Sequence, residues 1–483
     1  MSNANKADTS NAPFSSITDQ PAKDSSSQVQ EDRLPPIAST EEAATTDGGG
    51  GENTSPSTTV GGLVVAVLDG HGSDLGREAS HRAAEGMAAW LDQHFATRLA
   101  PEGADVVMAM RDLFQHTHAH LFEAYKMLLR ARGFEVEEQH GYLVRRRIAG
   151  NNAPPTSSRS RLMRRQRSGG LDASKRGKLE QAGWECVHGG TSASVVAFLN
   201  QGRTMIVANV GDSAGLLAVE GLHLGDYTHL RKPLTPSLEA QGFPALGAGE
   251  VVIDVGDQVA EEEVEARERR CMVLTADHSP ESLAEFDRMR RTHPNPKTKH
   301  WPFLQLVYDE PGKRKVECPR VFDFDNRGKL GVTNNGRYYK NVRQEWASLV
   351  TTPSTARFHD ALAFTRSLGD FHLHANGLSC LPEVFEVDLQ AIRNLKKSGS
   401  NSSSGGGGSV LGVLALASDG VWDNWDWDEV ADYVLQPDHL RCLRDQGPDT
   451  SAQRFKQANT DRARANFGGD SDNASGVMCY ISL

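Results

Sequence analysis

Three aspartates stand where apolar, β-prone runs stop. Val64-Val-Ala-Val-Leu68 leads into Asp69-Gly70-His71-Gly72-Ser73, Leu414-Ala-Leu-Ala-Ser418 leads into Asp419-Gly420, and Asp472-Asn473 opens the last apolar stretch, Gly476 to Leu483. Short apolar runs closed by turn formers read as buried strands, and a residue at the end of such a strand is delivered to the edge of its sheet. Asp-Gly and Asp-Asn are ordinary turn dipeptides, so turn geometry accounts for any one of them alone. Three at once, hundreds of residues apart, call for a fold that brings strand ends together. Carboxylates gathered in that way form an all-oxygen ligand set, which suits Mg2+ or Mn2+, hard cations that retain several of their waters.

The 483 residues, 38% hydrophobic, can bury a large core. Length alone would allow two to four domains of about 150 residues, but long polar stretches lower that number. The six cysteines, at 186, 271, 318, 380, 442 and 479, form no CxxC pair and no zinc-like spacing, the pattern of a reduced intracellular protein, cytoplasmic or nuclear. No run approaches the ~18 apolar residues of a membrane span, and Met1 to about Ser27 lacks the apolar centre of a secretory signal, so residues 1–27 read as a disordered tail and no membrane partner is expected. Net charge is −11, yet residues 145–178 hold eleven Lys/Arg and a single acid, Asp172. That segment is either a patch for nuclear import or an anionic partner, or a solvated insert.

Along the chain, residues 79, 83, 87, 91 and 95 make an i, i+4 stripe that predicts a helix over 77–95, and Val107, Met110, Phe114, Leu121 and Tyr125 predict a second over 104–130. On the second, His116 and His120 share a face, open to reading as metal ligands or as surface histidines. Residues 131–185 show no periodicity and read as a loop, and excision of 145–178 is expected to leave chemistry on a small substrate intact. Two β-prone runs, 193–199 and 204–210, flank a short turn and predict a hairpin; a third strand, 215–219, follows Gly211-Asp212-Ser213, which puts Asp212 at another strand-edge turn. Ser279-Pro280 predicts a helix start, and 293–345 reads as an irregular excursion. Residues 398–409 read as a Gly/Ser tether, 426–436 as a capped helix, and 436–469 as weakly patterned. Neither a Rossmann GxGxxG nor a Walker A sequence is present, and hairpins flanked by helices without regular βαβ alternation define an α+β class.

If Asp69, Asp419 and Asp472 converge, two divalent ions about 3.5–4 Å apart could share one carboxylate, best Asp69, and activate a bridging water. Gly70, without a Cβ, leaves its carbonyl free to turn toward a metal. His71 is suited to protonate a leaving alkoxide near neutral pH. Together these groups fit hydrolysis of a phosphate monoester, whose slow uncatalysed rate calls for metal activation and charge neutralisation.

Asp69-Gly-His-Gly, Gly189-Gly-Thr-Ser-Ala, Ala208-Asn-Val-Gly-Asp212-Ser, Leu274-Thr-Ala-Asp277-His-Ser-Pro, Leu362-Ala-Phe-Thr-Arg-Ser-Leu-Gly-Asp370, Ala417-Ser-Asp419-Gly-Val-Trp-Asp423 and Asp472-Asn-Ala-Ser resemble, in order, the motif series of the PP2C/PPM metal-dependent protein Ser/Thr phosphatases. The resemblance spans about residue 60 to the C-terminus. It implies a four-layer α-β-β-α sandwich with two antiparallel central sheets and metals in a channel at one edge. By position, Asp69 resembles the ligand bridging both ions, with Gly70 supplying its carbonyl; Asp419 and Asp472 complete the first metal, Asp212 and Asp423 resemble ligands of a weaker third, and His71 resembles the general acid. Glu31 and Asp32 resemble an acidic pair placed before the first strand, although Ser25-Ser-Ser-Gln28 stands where relatives often carry a phosphate-gripping Arg. Residues 28–483 would form the phosphatase-like domain, with insertions at about 131–185, 293–360 (an enlarged flap) and 396–409. The implied cofactors are two Mg2+ or Mn2+ ions, and the implied partners are phosphoprotein substrates of a monomeric enzyme. The alternative is a pseudophosphatase that binds or scaffolds; a metal-dependent nuclease rests on the basic insert alone, and nucleic acid is not an expected partner.

Overall fold

The run that ends at Asp69 is strand β1, Leu63–His71, and the chain then turns into helix α1, Gly76–His94. Small residues on one stripe of α1, Ala79, Ala83 and Gly86, let it lie close against its neighbours, with Met87 and Trp90 buried beyond them. Helix α2, Val106–Ala131, starts at Asp105, whose carboxylate accepts from the Met108 N–H at 3.0 Å, and it buries Met110, Leu113, Phe114, Leu121 and Tyr125. Both helices lie where the spacing places them. The computed structural model describes residues 62–148, 183–235, 258, 264–399 and 411–483, except for the side chains of 396–399 and 470; all belong to the unit Thr59–Leu483.

The first departure from expectation comes next. Residues 131–185 contain a hairpin, β2 (Phe134–Gln139) and β3 (Tyr142–Arg147), which is extended by β4 (Glu185–Cys186). Its alternation hides behind charge: Glu135 pairs with Arg146 directly across the strands and Arg145 reaches Asp74 at 3.1 Å, while Val136, Leu143 and Val144 are buried. The basic segment therefore begins inside a strand, and excision from 145 would cut β3.

Strands β5 (Gly190–Leu199), buried throughout, and β6 (Thr204–Val210) form the predicted hairpin, followed by β7 (Ala214–Val219), β8 (Arg231–Pro233) and β9 (Met272–Val273). Helix α3, Leu283–Thr292, begins later than Ser279-Pro280 suggests: Ser282 is its cap, accepting from the Glu285 N–H, and Ser279-Pro280 forms the turn before it. The excursion after 293 is not irregular. It holds β10 (Gln305–Tyr308), β11 (Phe322–Phe324), β12 (Leu330–Val332), β13 (Ser348–Thr351) and β14 (Ala361–Leu362), and a core of its own in which Phe286, Leu304, Tyr308, Phe322 and Val350 pack together. Strands of two to four residues are too short to show a period.

The remainder comprises β15 (Leu368–Gly369), α4 (Phe371–His374), β16 (Glu383–Asp388), α5 (Leu389–Gly399), β17 (Leu411–Ala417), α6 (Asp419–Trp422), α7 (Trp427–Leu435), α8 (Pro437–Gln446), α9 (Pro448–Phe467) and β18 (Gly476–Ser482). The weakly patterned stretch 436–469 is thus two helices, each with Pro in its first turn, where the missing N–H costs nothing. Helix α5 occupies the start of the predicted tether; 400–409 lie outside the described residues, as does the proposed tail 1–27.

The fold is mixed α+β with several antiparallel sheets. One has the order β1-β5-β6-β16-β8, with β15 added on β5; another has the order β18-β17-β7-β9. Alternation along each strand sorts side chains to opposite faces. Val195, Ile206 and Val384 join Leu113, Phe114 and Tyr125 of α2 in one cluster. Val67, Val196, Val207 and Val387 from the same sheet join Leu217, Leu414 and Leu416 of the other. Leu216, Val413 and Ala415 join Trp422, Trp425, Val430 and Phe455.

The Thr365-Arg366-Ser367 segment is anchored by a buried ionic knot. The Glu285 carboxylate accepts from Arg288, Arg366 and the Thr365 hydroxyl (2.6 Å), and Arg366 also reaches Glu383 at 2.7 Å. Burial alone would raise the Glu285 pKa, but the two guanidiniums outweigh it and hold the carboxyl well below its ordinary range. Glu285→Ala leaves both cations buried without their partner and is expected to cost about 3–5 kcal/mol in urea unfolding; a loss below 1 kcal/mol would show the knot to be dispensable.

Candidate metal centre

Asp69 lies near the end of β1, opposite Ser192 of β5. Ser192 Oγ is 2.6 Å from Ser213 Oγ, which ties the Gly211-Asp212-Ser213 turn to the same sheet edge. Buried Asn209 exchanges two hydrogen bonds with Ala276, 3.0 and 3.1 Å, and so fixes the segment that carries Asp277. In the other sheet, β17 is followed by Ser418, whose N–H donates to Ser475 O (2.9 Å) while its Oγ accepts from the Ser475 N–H (3.1 Å), clamping the 472–475 segment against Asp419. Two glycines are required by close approach. A Cβ on Gly70 would stand 1.9 Å from Gly76 O at the start of α1, and one on Gly420 would stand 2.0 Å from Asn473 O. Asp423 lies one helical turn from Asp419, its N–H donating to Asp419 O at 2.7 Å.

These elements bring five of the predicted carboxylates, Asp69, Asp212, Asp419, Asp423 and Asp472, into mutual electrostatic range. Burial, then the neighbouring Asp419 and Asp472, push the Asp69 pKa up to about 7. Burial and then Asp419 raise Asp212 to about 8 and Asp423 to about 7. Asp419 is itself raised, by burial and Asp472, and its Oδ1 is a buried acceptor with no hydrogen-bond partner. Glu31 and Asp32 lie outside the described residues.

His71 sits beside this group, and its Nε2 is 2.6 Å from Asp370 Oδ2. Asp370 is held in a left-handed conformation (φ 43°, ψ 42°) by the Ser367 hydroxyl at 2.8 Å and by its own N–H to Gly189 O at 3.1 Å. Burial of the His71 ring opposes protonation, but Asp370, with Asp212 and Asp69 behind it, outweighs this and raises the imidazole pKa. Phe364 packs edge-on against the ring at 5.0 Å.

Two contributors went unassigned in the sequence reading. Asp370 stands there only as the last residue of the 362–370 motif, not as the partner of His71. Lys340, from the long excursion, carries no local signal at all. Its ammonium is 3.3 Å from Glu345 and interacts with Asp212, Asp277 and Asp423; these acids outweigh its burial and raise its pKa. The loop is docked on the Asp423 turn: the Val342 N–H donates to Asp423 O (3.1 Å), Arg343 donates to Trp422 O and to Trp425 O (3.1 Å), and its guanidinium lies 4.8 Å over Trp427. On α2, His116 is exposed, and neither His116 nor His120 belongs to a group of three potential ligands among the described residues. Of the three, His118 alone turns toward such a group.

No protein-family profile matches the chain, and no curated protein matches it. Among solved structures it is similar to a sex-determining protein of C. elegans, at 14% identity and TM-score 0.39, over 87% of this chain and 56% of that one. It is also similar to serine-threonine phosphatase 2C from Toxoplasma gondii, at 13% identity and TM-score 0.42, over 87% of this chain and 85% of that one. The chain therefore spans little more than half the length of the first. Similarity at this level decides neither fold nor activity.

The residues present fit hard divalent cations: oxygen donors only, buried and crowded so that the pKa values of three carboxyls rise to about 7 or 8, with one buried oxygen unpaired. A consequence follows for stability. These carboxyls have folded-state pKa values above the ordinary 3.8, so without metal the folded protein holds protons that the unfolded chain releases. Their contribution is most favourable below about pH 4 and declines as pH rises toward about 8. In thermal unfolding, Mn2+ should therefore raise Tm more at about pH 8 than at about pH 5.5, and Asp419→Asn should shrink that difference. Equal increments at the two pH values would contradict the electrostatic reading.

Proposed function

We propose that the chain is a metal-dependent protein serine/threonine phosphatase of the PP2C type, a four-layer α-β-β-α sandwich that acts as a monomer on phosphoprotein substrates. The observation that carries this reading is the gathering of Asp69, Asp419 and Asp472 from the ends of three strands, with His71 beside them. Asp69, the Gly70 carbonyl, Asp419 and Asp472 would hold two Mg2+ or Mn2+ ions, and Asp212 and Asp423 a weaker third. When bound, the ions supply Lewis acidity and a coordinated water that deprotonates near neutral pH.

The chain's own groups account for the rest. His71 donates Nε2–H to Asp370, which fixes the ring and favours the imidazolium, so the second proton, on Nδ1, is available to the leaving alkoxide. Lys340 is the cation we assign to the phosphoryl oxygens, in place of the upstream Arg. Its position among Asp212, Asp277 and Asp423 supports that role. The four-layer reading is supported by the three successive apolar clusters, helix against sheet, sheet against sheet and sheet against helix.

Hydrolysis of an aryl phosphate and of phosphopeptides should require Mn2+ or Mg2+, stop with EDTA, and be abolished by Asp419→Ala. His71→Asn should lower kcat by about 10²–10⁴-fold. Lys340→Ala should chiefly raise KM, a loss of binding shared by ground and transition states. A folded, Mn2+-binding chain inactive on all these substrates would favour the scaffolding alternative instead.

A further inference from the structure

A second set of metal-ligating side chains meets where three other segments cross. Cys186 closes β4, His188 stands two residues further on, Asp360 immediately precedes β14, and His372 lies in α4. Asp360 Oδ2 is 2.8 Å from His188 Nδ1 and 2.8 Å from His372 Nε2, and a ligand atom from each of Cys186, His188 and His372 lies within 4.8 Å of the other two. Cys186 is 5% exposed and His372 1%.

The bonding of these groups is incomplete. Among the described residues the Cys186 thiol donates to the adjoining Val187 carbonyl at a long 3.8 Å, and His372 Nδ1 is buried with no partner. The other Asp360 oxygen is taken by the Ala361 N–H at 2.9 Å, which leaves Oδ2 for the histidines. A hydrogen-bonded His-Asp-His trio explains three of the residues and leaves the buried thiol without a role. Two imidazoles and a thiolate, with water in the fourth position, make a set that Zn2+ takes, and Asp360 behind the two histidines orients them and brings the total charge to zero, leaving the unpartnered His372 Nδ1 for the ion. Tetrahedral bond lengths place such donors about 3.4–3.8 Å apart, so closing on an ion takes a contraction of about 1 Å.

We propose that Cys186, His188 and His372 bind one Zn2+, separate from the carboxylate centre, with Asp360 holding both imidazoles, so that the site fastens the end of the long excursion to β4 and α4. Binding displaces the Cys186 thiol proton to solvent and forms the metal–sulfur bond, with both imidazoles neutral. Because His372 follows Asp370 by two residues, the ion would also hold the turn that positions the partner of His71. The proposal is independent of the phosphatase reading. In the other grouping, His118, His374 and Cys380, the His118 Nδ1 already accepts from the Gly369 N–H at 3.2 Å.

The test is titration of the EDTA-treated full chain with Co2+, followed by absorption, then displacement by Zn2+. The carboxylate centre has only oxygen donors and gives no thiolate band, so sulfur-to-cobalt charge transfer reports a cysteine site, and the two cysteine variants tell this one from the Cys380 group. The expected result is a thiolate band with tetrahedral d–d absorption, saturating at one Co2+ per chain, displaced by Zn2+, lost in Cys186→Ser and retained in Cys380→Ser and Asp419→Asn. No thiolate band in the wild type, survival of the band in Cys186→Ser, or its loss in Cys380→Ser would overturn the assignment. Should Cys186→Ser fail to fold, His188→Asn, at a half-exposed position, provides the same decision: Zn2+ affinity should fall by more than about 100-fold, and unchanged affinity would overturn the proposal.

Discussion

The burial of acidic side chains beside one another is the unfavourable feature around which this molecule is built. Asp69, Asp212, Asp419, Asp423 and Asp472 come from two sheets and the turns between them, and burial first, then their closeness, makes several prefer to keep a proton near neutral pH. Such crowding is unfavourable for the folded chain by itself and becomes favourable only with compensating positive charge. Lys340 supplies part of that charge, and divalent cations are the natural source of the rest.

What holds the acids together is apolar. Alternate residues of β5 and β6 face α2 on one side and the second sheet on the other, and the second sheet in turn buries Trp422 and Trp425 just beyond Asp419. Burial on this scale, at about 25 cal/mol per Å2 of apolar surface, is the favourable term large enough to set against local charge repulsion. Hydrogen bonds then set the fine positions, Ser418 to Ser475 across one turn and Ser192 to Ser213 across another. The long excursion joins this frame by docking Val342 and Arg343 on the Asp423 turn, so a surface element far along the chain becomes part of the centre.

The helices 76–94 and 106–131, the 190–210 hairpin and the strand ends bearing Asp69 and Asp419 were legible because long periodic runs record the faces they bury. The β2–β3 hairpin was not: cross-strand pairs such as Glu135 with Arg146 fill its outward positions, and its few inward residues are too sparse to show alternation. The strands of the excursion are shorter than any period, and its core depends on partners such as Phe286 that lie outside it in sequence. Lys340 and Asp370 are single residues whose importance comes only from what they meet across space. The cysteine spacing likewise concealed the Cys186 cluster, because its ligands and the Asp360 that joins the two histidines come from three separate segments.

The decisive measurement is anomalous diffraction from crystals grown with Mn2+. The account predicts two Mn2+ peaks bounded by Asp69, Asp419 and Asp472, with a water between them and His71 alongside. Crystals saturated with Mn2+ that show no peak among these three carboxylates would contradict it.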